Sequence, residues 1–176
     1  MKPRLITLIP SLLVGLLLGG LTSCATKSVE SLVGGEEVHA LISDLEKATT
    51  CEVYRIDDSY PGENKPKKGK VLHGFSVLSE AKPMKDDSRK ALSKILSNPK
   101  TYIEHSVPID CSFRPGIAFR FADGKIEVDL LVCFSCRELR YYLDGKLAGG
   151  SYFESQGILE ITKQLFPNDK KIQSLK

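Results

Sequence analysis

The chain has 176 residues, with 25 Lys and Arg against 22 Asp and Glu, giving a formal charge of +3. Two of those three positive charges belong to Lys2 and Arg4, so the rest is almost balanced. No stripe or tail of cations remains that would read as a nucleic-acid surface. At 41% hydrophobic residues and with no internal repeat, it has the composition of one globular domain with a sizeable core.

Lys2 and Arg4 precede an uncharged apolar run from Leu5 to Gly20. A positive start, an apolar stretch and small residues at its end form the pattern of an export signal. The run is shorter than the roughly 20 residues that a membrane-spanning helix needs, and Pro10 interrupts it.

Leu21-Thr22-Ser23-Cys24 then resembles the lipobox of bacterial lipoprotein precursors, an aliphatic residue and two small ones before a cysteine. The resemblance implies cleavage before Cys24 and attachment of fatty acids of the palmitate type to that residue. Several chains hold a protein stably on a membrane where one does not. Residues 1–23 are then a signal peptide and the mature protein is an envelope protein. Its partner through Cys24 would be membrane lipid, with another envelope protein or polymer as a further partner. Ala25 stands where an aspartate would mark inner-membrane retention, which favours the outer membrane. The plain alternative makes Cys24 a small residue after an ordinary signal.

Residues 24–35 are small and polar and read as a tether, 36–167 as a single α+β domain, and 168–176 as a loose tail. Val38, Leu41, Ile42 and Leu45 recur at helical spacing and predict a helix near 36–48. "TTCEVYRI" reads as a strand. "NKPKKGK" reads as a solvated loop. "GKVLHGFSVLSE" reads as a second strand, with Val71, His73, Phe75 and Val77 on one face and His73 as a core histidine. A helix near 87–97 opens at Asp86-Asp87-Ser88, buries Leu92, Ile95 and Leu96, and stops at Asn98-Pro99. A last helix near 152–166 starts from a Ser151–Glu154 capping box and buries Ile158, Leu159, Ile161, Leu165 and Phe166.

Between them, residues 115–143 predict a three-stranded antiparallel meander. Folding at Asp123-Gly124 sets Phe121 against Ile126, Phe119 against Val128 and Ile117 against Leu130, with Arg120 against Glu127 on the other face. Folding again at Phe134-Ser135 sets Leu130 against Leu139, Val128 against Tyr141 and Ile126 against Leu143, with Asp129 against Arg140. Phe-Ser suits a tight turn poorly, so this loop is expected to be looser than two residues. Tyr142 is expected outward beside Glu127. Asp144-Gly145 turns the chain towards the last helix.

This register gathers Cys133 and Cys136 at one tip and brings Cys111 towards it. Three chemistries compete there. An exported domain permits disulfides, and four cysteines allow three pairings. Alternatively, Cys111, Cys133 and Cys136 would ligate zinc, with Cys51, His73 or His105 completing a tetrahedron. The third is thiol–disulfide exchange, but "RELRYYLDGK" after Cys136 continues as a strand and supplies no helix N-terminus to activate a thiol. Asp57, Asp58, Glu104 and Asp110 read as turn and surface carboxylates. No Gly-x-Ser-x-Gly, phosphate-loop or His-Glu-x-x-His pattern occurs, so the sequence predicts no catalytic residue. "FRPGIAFRFADGKIEVDLLVCFSCRELRYYLDGK" resembles a segment of bacterial envelope proteins to which no activity is attached. It implies a small exported domain, read as a non-enzymatic module with a zinc-binding or thiol-redox domain as the alternative.

Overall fold

The computed structural model describes residues 27–59, 69–105 and 110–176. The lipobox, most of the lysine-rich loop and the proline at position 108 lie outside them. Helix α1, Val29–Val33, occupies the stretch read as tether; it starts on the Ser28 cap, ends on Gly34 at φ 110° and buries both valines. Helix α2, Glu36–Asp44, runs into a 3-10 turn at Leu45–Lys47 and buries Val38, Ile42 and Leu45, as the apolar spacing requires.

Strand β1, Thr50–Arg55, lies where the first strand was expected. The second expected strand is instead a hairpin, β2 Val71–Leu72 and β3 Phe75–Ser76. It turns at His73 (φ 49°) and Gly74 (φ 87°). Positive φ at both central residues matches the twist of a two-residue hairpin, and it dissolves the single face expected to carry Val71, His73, Phe75 and Val77. Strand β4, Lys82–Pro83, leads into helix α3, Asp86–Leu96, which buries Leu92 and Leu96. A 3-10 turn at Pro99–Thr101, capped by Asn98, precedes β5, Tyr102–Ile103.

The meander has four strands rather than three: β6 Ile117–Ala122, β7 Glu127–Cys133, β8 Glu138–Leu143 and β9 Lys146–Phe153. Its register is slipped by two from the expected one in both hairpins. Phe121 opposes Val128, Phe119 opposes Leu130 and Arg120 opposes Asp129; Leu130 opposes Tyr141 and Val132 opposes Leu139. The cause of the first slip is the Asp123 carboxylate, which accepts the N–H groups of Lys125 (2.8 Å) and Ile126 (2.9 Å). These bonds build a wider loop and start the ladder at Ala122 and Glu127. The second loop, 134–137, is also wider than two residues, as the poor Phe-Ser turn chemistry indicated. A slip of two keeps every side chain on its face, so the apolar and polar faces are those expected.

Asp144-Gly145 does turn the chain, at φ 45° and 80°, but into β9. Ser151 is therefore extended, the expected capping box does not form, and helix α4 starts four residues later, at Gln156–Leu165. Helix α5, Lys170–Ser174, lies in the stretch read as a loose tail and buries Ile172.

The sheet is antiparallel with order β4-β1-β6-β7-β8-β9-β5, and β2–β3 stands apart. One face carries Val53, Phe119, Phe121, Leu130, Val132, Leu139 and Tyr141 against the helices. The other carries Tyr54, Ala118, Leu131 and Cys133 beneath the β2–β3 hairpin and Phe113. Every residue of β7 after Glu127 is buried, because both of its faces are covered. The fold is α+β, an antiparallel sheet flanked by helices.

Candidate functional site

Of the residues expected to converge, the structure joins two. Cys111 and Cys136 form a disulfide with Cα atoms 5.8 Å apart. It ties the segment leading into β6 to the tip between β7 and β8. Cys133, at the end of β7, is fully buried in the same tip and carries a free thiol. Its sulfur accepts the backbone N–H of Arg114 and that of Cys136, both at 3.4 Å, and lies 3.3 Å from the Ser135 hydroxyl.

Cys51 does not join them. It opposes Phe121 on the helix side of the sheet and contacts the Met84 sulfur at 3.4 Å. Burial, opposed only partly by Arg89, pushes its thiol up to about 12. His105 packs edge-on against Tyr152 at 4.8 Å. With two sulfurs bonded to each other, the expected zinc set offers one thiol. Among the described residues no group of three His, Cys, Asp or Glu is placed to hold a metal ion.

The second-face cluster around Asp129 escaped sequence reasoning. Asp129 is 1% exposed. Its Oδ1 accepts Arg120 Nε, and its Oδ2 accepts Arg120 Nη2, each at 2.7 Å. His73 Nε2 bonds the same Oδ2 at 2.6 Å. This paired, bidentate geometry supplies the hydrogen bonds that a buried carboxylate needs to offset its lost hydration. The hydrogen bond it donates to Asp129, against the cost of burial, holds the Arg120 guanidinium above its ordinary value. Arg120 also reaches Glu127 at 3.1 Å. The His73 ring stacks on Tyr142 at 3.7 Å, so Tyr142 is not the outward aromatic expected beside Glu127. Beside them, Tyr54 donates to Glu52 and takes a bond from Lys70 at 2.8 Å. Burial first, then Glu52, pushes the Tyr54 hydroxyl up to about 12.

A carboxylate that holds a histidine also occurs in nucleophilic triads, where the far ring nitrogen serves a hydroxyl or thiol. Here Tyr142 covers the ring, and the Asp129–His73 bond is one attachment of the β2–β3 hairpin to the sheet, beside the Asp57 N–H to Ser76 carbonyl bond at 2.9 Å. Asp129 and Cys133 lie four residues apart along β7, roughly 13 Å, so His73 does not serve the tip.

A third feature is an open groove of about 1090 Å³ lined by Lys27, Glu104, His105, Arg140, Leu147 and Tyr152, among others. It follows the outer side of β9, whose strand partner there, among the described residues, is the two-residue β5 at Tyr152 and Phe153. Its charges are mutually paired, Lys27 with Glu104 at 2.6 Å and Arg140 with Glu138 at 2.7 Å. Leu147 is 60% exposed at its rim.

The chain matches no protein-family model, and comparisons with curated proteins and with solved structures find no similar protein.

Proposed function

We propose that the protein is a lipid-anchored, non-enzymatic module of the bacterial envelope that contacts or supports another envelope component. The observation that carries this reading is Leu21-Thr22-Ser23-Cys24 at the end of an export signal. The domain behind it is disulfide-stabilised, and a disulfide persists in oxidising compartments. The groove beside β9 supports the contact role. Lys27 lines it and stands three residues after Cys24, so one wall lies within about 10 Å of the anchored residue. A partner lying at the membrane surface would meet this groove first. Among the described residues no helix is long and apolar enough to cross a membrane.

The test is the mass of the N-terminal peptide from membrane-extracted mature protein. It should begin at Cys24 and carry fatty acids, and Cys24→Ala should leave an unprocessed, unacylated precursor. A mature, water-soluble protein without fatty acid on Cys24 overturns the proposal.

A further inference from the structure

Among the described residues, the two cysteines left free by the disulfide occupy unlike places. Cys51 is held in the helix-side core, away from any other cysteine. Cys133 is three residues from Cys136 in the same turn, and Cys136 is already bonded to Cys111. Two backbone N–H groups converge on the Cys133 sulfur. That arrangement receives negative charge developing on an attacking atom. The three sulfurs also differ in access: Cys133 and Cys136 are buried, Cys111 only half so.

We propose that Cys133 exchanges with the Cys111–Cys136 disulfide, so that the tip interconverts between two disulfide isomers and presents Cys111 as a free thiol in the second. The Cys133 thiol gives its proton to solvent by way of the exposed Ser135 hydroxyl, 3.3 Å from its sulfur, and its sulfur attacks Cys136 Sγ. The Cys133–Cys136 bond forms as the Cys136–Cys111 bond breaks. The electron pair leaves on Cys111 Sγ, which takes up a proton. One disulfide and one thiol stand on each side, so the step needs no oxidant or reductant. It moves the free thiol from a buried position to an accessible one, where it can engage the disulfide of another molecule. No helix N-terminus is required, since the donors come from the tip's own backbone. The inference goes beyond the anchoring proposal and does not depend on it.

The experiment is time-resolved alkylation of the oxidised protein with N-ethylmaleimide and no reductant, followed by trypsin digestion without reduction. Cleavage after basic residues leaves Cys111 in peptide 101–120 and both Cys133 and Cys136 in peptide 126–137. The expected products are alkylated 101–120 and 126–137 closed by its own disulfide. Cys133→Ala should slow labelling of Cys111 at least tenfold while keeping the link between the two peptides, and Cys51→Ala should leave the rate unchanged. If Cys133→Ala fails to fold, Cys133→Ser, which keeps a hydrogen-bond acceptor there, should show the same loss. Three results overturn the inference: Cys111 unlabelled in the unaltered protein, Cys111 labelled equally fast without Cys133, or 126–137 carrying label on Cys133 while still linked to 101–120.

Discussion

Asp129 holds two side chains from different parts of the chain, Arg120 from the neighbouring strand and His73 from a hairpin 56 residues earlier. Removing it leaves the Arg120 guanidinium at a mostly buried position without its bidentate partner. Asp129→Ala should therefore cost about 3 kcal/mol of stability, read from urea denaturation. In the sequence, Arg120 and Asp129 were legible as charges on the non-apolar face of the meander. Their burial was not legible. Period-two patterning assigns charges to the solvent side, and what covers this face is the turn at His73-Gly74, a pair with little hairpin signature.

Asp169 is a second carboxylate with a long-range task. It accepts Arg55 Nε at 2.9 Å and the N–H groups of Lys171 and Ile172 at 3.0 Å. Burial pushes its carboxyl up most strongly, but the Ile172 N–H, Arg55 and the Lys171 N–H together outweigh it and hold it below the ordinary 3.8. The unfolded chain then binds the more protons as pH falls past that value. The stabilisation is present above about pH 5 and is lost as pH drops through the lowered folded value. Asp169→Asn should cost about 1 kcal/mol at neutral pH, and the difference from the unaltered protein should shrink in denaturation curves as pH falls below about 4.

Among the elements, α1 is placed by a missing side chain. A Cβ on Gly149 would stand 2.2 Å from the Val33 carbonyl oxygen, so the helix can lie on β9 only where that strand is bare. Gly149→Ala should push α1 off the sheet. We expect a loss of about 2 kcal/mol and faster hydrogen exchange across residues 29–38, with β6 and β7 unchanged. The same dependence explains why α1 was read as tether: five residues are too few to show helical periodicity, and the strand that receives Val29 and Val33 lies over 100 positions away. The meander was legible in its faces because two turns independently demanded the same alternation. Its register was not, because the Asp123 side chain widened the first loop in a way that hydrophobicity does not report. The cysteine tip survived the error: a two-residue slip moves Cys133 and Cys136 along the sheet without changing the end at which they meet.

At the scale of the molecule, two unlike clamps close long stretches of chain. The disulfide spans a sequence separation of 25, a loop whose closure is worth about 3.5 kcal/mol on chain-entropy grounds. It was legible as one of three chemistries because cysteine positions can be counted and the meander gave them an address. The ionic clamp between Arg55 and Asp169 joins residues 114 positions apart, and nothing in local patterning marks either of them. Arg55 is 7% exposed and also donates to the carbonyls of Ile56 and Gly116, while Lys171 reaches back to Asp58 at 2.8 Å. During synthesis, strand β1 emerges long before Asp169 has been made. A growing chain therefore carries a guanidinium in its sheet with no carboxylate from α5 to neutralise it. The native arrangement becomes available only once the chain has been made through α5, so the surroundings of Arg55 cannot lock before that helix arrives.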